Sequence, residues 1–222
     1  MPRPYLAVLF DYDFTLGDSS VGIINCVNSA LEHMGLPTAP EDAIRRTVGL
    51  ALPACFAALT GDNSPERAAR FVALFTQRAD EVMLDHTFTY PGVRRALAEV
   101  AAAGVRLGLV STKFHRRLEQ VTTRDGLRQL FGVLVGGDDV PAPKPDPAGV
   151  LQAAATLGVA PERCLFVGDS AVDGETARRA GTDFAAVLTG ATPAAALAAY
   201  DPVAVMATVG EVADVVLRPA AR

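Results

Sequence analysis

Cysteine is scarce in this 222-residue chain: Cys26, Cys55 and Cys164 stand far apart and form no CxxC pair. That spacing points away from a disulfide framework and from the usual zinc clusters. Charge is sparse too, at 20% of residues, and its excess is acidic, with a formal net charge of −5. Such a chain is not built to neutralise a row of phosphates, so no nucleic-acid polymer is expected as a partner. A small anion is still admissible, because one lysine or one helix N-terminus reverses the sign inside a pocket. Long hydrophobic runs are missing as well. No stretch of about 18 uncharged apolar residues occurs, and MPRPYLAVLFDYD at the N-terminus meets its first acids too soon for a secretion signal. A cytoplasmic protein with no membrane partner is the expectation.

What is present is apolar and periodic. Half the residues are hydrophobic, and a chain of this length buries about 70% of its unfolded surface, enough for one large domain with a smaller insert. Short apolar runs bounded by glycine, proline or acid predict strands: LAVLF (6–10), VRLGLV (105–110), GVLVG (132–136), CLFVG (164–168), FAAVL (184–188) and ADVVL (213–217). They lack polar–apolar alternation, as parallel strands covered on both faces do. Helical patterns lie between them at 92–104, 146–159 and 170–181, the last two opening with Asp or Ser and ending near Gly. This rhythm predicts an α/β fold, a Rossmann-like parallel sheet core flanked by helices. The Ala-rich segment 191–199 reads as a surface helix. From Ser19 to about Asp85 the rhythm breaks into three or more amphipathic helical stretches without a convincing strand. That is long for one crossover, so the expected division is a core of 1–16 and 86–222 with a helical domain inserted at 17–85.

Residues 10–20 read FDYDFTLGDSS, with Asp11 and Asp13 directly after the first apolar run. The strand ends there, so both acids can converge at the carboxyl edge of the sheet, where α/β proteins bind ligands. An acid at a strand end also caps turns, so the pair alone leaves both readings open. Three later segments weigh on the choice. LVST (109–112) ends an apolar run in hydroxyls, suited to phosphate oxygens through Ser111 and the Thr112 N–H. APKPDP (142–147) fixes Lys144 among prolines, a compact positive charge for an anion. FVGDSAVDGETARRAG (166–181) ends a further run in Asp169 and then sets Asp173, acids that can join Asp11 around a hard cation. Asp138 and Asp139 precede Lys144 closely enough to orient it, and equally fit a solvated loop. His33 and His86 read as structural or exposed, while His115 is near enough to the LVST segment to reach a pocket.

On these residues the chain resembles the haloacid dehalogenase-like hydrolases, and within them the phosphoglycolate phosphatase-like group with a helical cap. DYDFTL (11–16) matches the first family motif, DxDGTL, apart from Phe14 in the usual glycine position. Ser111 matches the second motif, Lys144–Pro145 the third, and Gly168, Asp169, Ser170 and Asp173 the fourth, GDSxxD, followed by the usual ARxAG at 177–181. YPGV (90–93) stands where the family chain returns to its core.

The resemblance implies a mechanism. Asp11 is the nucleophile that forms an aspartyl-phosphate, and Asp13 is the general acid for the leaving alkoxide and then the base for water. Magnesium is implied as cofactor, held by Asp11, the backbone carbonyl of Asp13 and Asp169, with Asp173 nearby directly or through water. Ser111, the Thr112 N–H and Lys144 take the remaining phosphate oxygens. Asp13 separates the chain from the family's carbon-attacking dehalogenases, which need no metal and typically lack that acid. In the cap, IRRTVGL (44–50) resembles a segment of phosphoglycolate-type members, and Arg45 is a candidate for a substrate carboxylate, with an exposed helical arginine as the alternative. The interval 17–85 has no lysine for Schiff-base phosphonate chemistry. The expectation is a magnesium-dependent phosphatase acting on a small phosphorylated metabolite, with phosphoglycolate the leading substrate, in a monomer or homodimer. A sugar-phosphate mutase of the same fold, or a degenerate phosphate-binding module motivated by Phe14, are the rival readings.

Overall fold

The computed structural model describes residues 5–217. AVLF, without a polar residue and buried at every position, forms the central strand β1 (Ala7–Phe10). The chain passes through β2 (Gly17–Asp18) into four helices, α1 (Ser20–His33), α2 (Glu41–Arg45), α3 (Leu52–Thr60) and α4 (Pro65–Val82), and returns through β3 (Phe88–Thr89). Helix and strand then alternate as α5 (Val93–Ala102), β4 (Arg106–Val110), α6 (His115–Arg124), β5 (Val133–Val135), α7 (Ala148–Leu157) and β6 (Cys164–Gly168). The order continues with α8 (Ala171–Ala180), β7 (Asp183–Val187), α9 (Ala194–Leu197), β8 (Ala204–Met206) and α10 (Val212–Leu217).

The chain divides into two compact units, Met1–Gly17 with Thr89–Arg222, and Asp18–Phe88. The first holds a six-stranded sheet of order β5-β4-β1-β6-β7-β8, every pair of it parallel. Helices on both faces explain the unbroken apolar runs, since neither face of β1 or β6 meets water. The second unit is helical and has its own core around Val27, Leu31, Ile44, Phe56, Phe71 and Phe75. Phe71 and Phe75 share a face of α4 at i,i+4 spacing, with ring centroids 6.2 Å apart, and Phe71 packs on Phe56 at 5.3 Å.

Two local expectations are corrected. ADVVL at 213–217 is not a strand but part of helix α10. Its apolar run is too short for periodicity to decide, and the deciding signal lies upstream, where Thr208 and Glu211 form a reciprocal capping box that starts the helical turn. The sixth strand is β8 instead, three residues at the sheet edge with Val205 exposed, too short to stand out as an apolar run. The Ala-rich segment forms only one α turn, at 194–197, with Leu197 buried. Among the described residues no helix is long and apolar enough to cross a membrane.

Candidate active site

Parallel pairing brings the carboxyl ends of β1, β4 and β6 to one edge. Phe10 is level with Leu109 on one side and Val167 on the other, so Asp11, Ser111 and Asp169 leave the sheet within a residue of one another. Backbone bonds fix the exits: Asp11 N–H donates to the Val167 carbonyl at 2.9 Å, and Ser111 N–H to the Val135 carbonyl at 3.0 Å.

Asp11, Asp169 and Asp173 each bring a carboxylate oxygen into one buried group, all within 4.8 Å of one another. Lys144 enters the same group. Its Nζ lies 2.6 Å from Asp173 Oδ1 and 2.9 Å from Asp11 Oδ1, and it is buried. The other Asp173 oxygen accepts from the Ser170 N–H at 3.1 Å and from the Ser170 hydroxyl at 2.5 Å. Ser170 and Asp173 thereby form the capping box that starts α8. One carboxylate therefore both starts a helix and holds the lysine.

The electrostatics follow from burial. Desolvation pushes the Asp11 carboxyl up to about 6, with Lys144 pulling it down and Asp173 and Asp13 pushing it further up. Asp169 is raised for the same first reason, with the Asp173 and Asp11 charges adding to it. Lys144 would lose its proton more readily through burial alone, but the charges of Asp11 and Asp173 outweigh that and hold it as an ammonium. The group carries more negative than positive charge and offers oxygen donors only, which fits a hard divalent cation.

Asp13 is buried two residues beyond Asp11 and meets a cation that the sequence reading missed. Lys113 Nζ is 3.3 Å from Asp13 Oδ1, with both side chains nearly withdrawn from solvent. A signal was available in composition: the chain has two lysines against eighteen arginines. Both lysines stand on carboxylates at this edge. Ser111 is buried and its Oγ accepts from the Lys113 N–H at 3.3 Å. Thr112 is half-buried, with Gly137 so close that a Cβ there would overlap the Thr112 carbonyl.

Phe14 explains the family's glycine. Its φ of +62° lies in the left-handed region, and its ring is buried. The turn is held from both sides: Phe14 N–H donates to the Gly17 carbonyl at 2.7 Å, and Thr189 Oγ1 donates to the Phe14 carbonyl. The next residue, Gly190, packs against Asp169 so closely that a Cβ would overlap its carboxylate. The loop after β7 was not singled out in the sequence, and no residue type there announces it.

Other expectations land elsewhere. Asp138 and Asp139 do not orient Lys144. Asp138 Oδ1 accepts from the His115 N–H at 2.7 Å, and Asp139 Oδ2 pairs with His115 Nδ1 at 2.6 Å. His33 turns back on its own helix, with Nδ1 2.7 Å from the Ser29 carbonyl. Arg45 is the last residue of α2 in the helical unit, half-buried.

Residues 8–187 match the family model described as haloacid dehalogenase-like hydrolase. Over 201 residues the chain is 36% identical to a phosphoglycolate phosphatase of Chromobacterium violaceum, covering 87% of this chain and 89% of that protein. A phosphoglycolate phosphatase of Nitrosococcus oceani is 32% identical over 182 residues, covering 78% of this chain and 79% of its relative. The crystal structure of a haloacid dehalogenase-like hydrolase from Bacteroides fragilis superposes with a TM-score of 0.91 at 36% identity, covering 94% of this chain and 99% of that one. With the aspartates and lysine of the family motifs gathered at one sheet edge, this chain is an enzyme of the haloacid dehalogenase-like hydrolase family.

Proposed function

We propose that this enzyme is a magnesium-dependent phosphatase that hydrolyses a small phosphomonoester through an aspartyl-phosphate on Asp11. The observation that carries the reading is the buried group of Asp11, Lys144, Asp169 and Asp173, with Asp13 two residues from Asp11. A carboxylate oxygen of Asp11 attacks phosphorus, and the bond from phosphorus to the leaving oxygen breaks. Asp13 gives that oxygen its proton, then takes one from the water that attacks the phosphoryl group and frees Asp11. Lys144, the Ser111 hydroxyl and the Thr112 N–H hold the phosphoryl oxygens as their charge shifts. Asp11, the Asp13 carbonyl and Asp169 are the groups for Mg2+, with Asp173 behind them. When bound, the ion offsets the like charge of carboxylate and phosphate.

The inserted helical unit is the cap of this reading and recognises the alcohol. The named activities of the Chromobacterium and Nitrosococcus relatives make phosphoglycolate the first substrate to test, with Arg45 as the group for its carboxylate. The test is phosphate release from phosphoglycolate, sugar phosphates, nucleoside monophosphates and pyrophosphate, for wild type, Asp11→Asn and Arg45→Ala. Chelation should stop turnover and Mg2+ restore it, Asp11→Asn should form no phosphoenzyme, and Arg45→Ala should lose activity selectively on phosphoglycolate. Full turnover by Asp11→Asn or by metal-free protein overturns the mechanism. A strong preference for nucleotides overturns the substrate and leaves the chemistry standing.

A further inference from the structure

We propose that Lys113 is the positioning residue for Asp13, holding its carboxyl group where it serves the leaving oxygen. This rests on the phosphatase reading above and adds to it a residue for the acid step.

The geometry is local. Lys113 Nζ lies 3.3 Å from Asp13 Oδ1, with side-chain exposures of 6% and 10%, and among the described residues no directed hydrogen bond reaches that oxygen. An electrostatic contact in a poorly solvated site is what keeps this oxygen in place. The lysine is itself held. Its ammonium stands 5.8 Å from the centroid of the Tyr12 ring, within cation–π reach. The Tyr12 hydroxyl lies 3.4 Å from Thr89 Oγ1, which donates to Asp125 Oδ2 at 2.5 Å, and Asp125 is paired to Arg124. Behind the side chain, the Lys113 carbonyl accepts from the Gly137 N–H at 3.1 Å, and the Lys113 N–H donates to Ser111 Oγ at 3.3 Å. Backbone and ring thus set the lysine before any substrate arrives.

Composition supports a specific use. Eighteen cationic positions are arginine, and of the two lysines Lys144 contacts Asp11 and Lys113 contacts Asp13. An ammonium is a compact point charge, whereas a guanidinium forks onto both carboxylate oxygens and would occupy the atom that must meet the leaving group. Lys144 is shared among acids that face the phosphoryl group, while Lys113 meets the acid assigned to the alcohol.

A positioning role predicts dependence on the leaving group. An alkoxide needs its proton as the bond breaks, and p-nitrophenolate does not. The constant kcat/KM reports transfer to Asp11, the step in which this proton moves. Lys113→Met is expected to lower kcat/KM on the best alkyl phosphate by about 30-fold or more, a share of the roughly 100- to 10,000-fold worth of general acid catalysis, and on p-nitrophenyl phosphate by less than about threefold. Asp13→Asn should show the same split, and Lys113→Arg, which keeps the charge but covers the second carboxylate oxygen, should restore only a minor part of the alkyl rate.

A second readout does not depend on turnover. With two lysines in the chain, isotope-labelled lysine gives two side-chain signals, assigned by Lys113→Met. Asp13→Asn should move the Lys113 signal and Asp11→Asn chiefly that of Lys144. Equal loss on both esters would make Lys113 a phosphoryl-binding or merely structural group and overturn the proposal, as would no loss on either. If neither lysine signal moves in Asp13→Asn, the proposal is overturned even where the lysine variants fail to fold. Failure of the wider reading is visible separately, in wild type that cleaves neither ester or in Asp11→Asn that still turns over.

Discussion

Asp173 holds Lys144 at 2.6 Å with one carboxylate oxygen while the other closes the capping box with Ser170. The start of α8 and the orientation of the site's lysine are therefore one structural feature, and two substitutions separate its parts. Ser170→Ala removes the cap and should cost about 1 kcal/mol of stability, with activity kept within a few-fold. Asp173→Asn removes a charge from a buried pair, which typically costs about 3–5 kcal/mol. Asp11 still faces Lys144, so a loss near the lower end, with at least a tenfold fall in kcat/KM, is expected. Urea titrations and steady-state rates on both variants check this. Equal activity losses would mean that the helix start, not the charge on Lys144, is what the site requires.

Phe14 occupies a left-handed turn with a buried ring, so two opposing terms meet at one residue. Removing a buried Phe side chain costs about 3–5 kcal/mol, while a non-glycine residue in this region costs about 1–2 kcal/mol. Packing wins, so Phe14→Gly should be less stable than wild type despite relieving the backbone. Phe14→Ala loses the ring and keeps the strain, and it should fall roughly 1 kcal/mol below Phe14→Gly. Denaturation midpoints of the three proteins give the order. Alanine matching or exceeding glycine would show that the turn is not strained in solution.

These two positions show what could be read in advance. The five apolar runs that became β1, β4, β5, β6 and β7 were legible because burial on both faces keeps polar residues out of a strand's interior, leaving Arg106 and Asp183 at exposed strand starts. The run at 213–217 misled because four apolar residues around Asp214 fit a strand and a helical turn equally, and β8 was hidden because an edge strand of three residues needs little hydrophobicity. At the site, Asp11, Lys144, Asp169 and Asp173 were legible through their motifs. Lys113 was not, because a lysine just beyond a strand is ordinary by itself and becomes informative only against the rarity of lysine in the chain. Thr189 and Gly190 were illegible, since their effect comes from backbone proximity to Phe14 and Asp169 across more than 150 and about 20 residues of sequence, respectively.

Protonation of Asp11 gives a stability prediction with a definite sign. Its carboxyl is raised from 3.8 to about 6, first by burial. Between these values the native state keeps a proton that the unfolded chain has released. This contribution to stability is thus fully present at low pH and lost as pH rises through the window, leaving the metal-free enzyme penalised above it. Asp11→Asn carries no such charge. In chelator it should be more stable than wild type by about 3 kcal/mol near pH 7.5, and the gap should close towards pH 4. Denaturation across that range decides. A gap that widens on acidification would mean that Asp11 is stabilised as the carboxylate by Lys144.

Gly190 supplies the last prediction. A Cβ there would overlap the carboxylate of Asp169, and the preceding residue, Thr189, donates its hydroxyl to the Phe14 carbonyl. Gly190→Ala must therefore turn the Asp169 carboxylate or push the loop outward, and the loop is tied to the Asp11 turn. Overpacking of this kind costs about 1–3 kcal/mol. The larger effect should be on Mg2+, because disturbing the shell behind a ligand typically weakens metal affinity by about 10–100-fold. Calorimetry of Mg2+ on the purified variant should show that loss, and kcat/KM should recover in part as Mg2+ is raised. Thr189→Val keeps the bulk and removes only the hydroxyl bond, so its Mg2+ affinity should stay within about threefold of wild type and its stability should fall by about 1 kcal/mol. If Gly190→Ala binds Mg2+ as wild type does, then Asp169 is not a ligand of the ion and the assignment of the metal group has to be redrawn around Asp11 and Asp13.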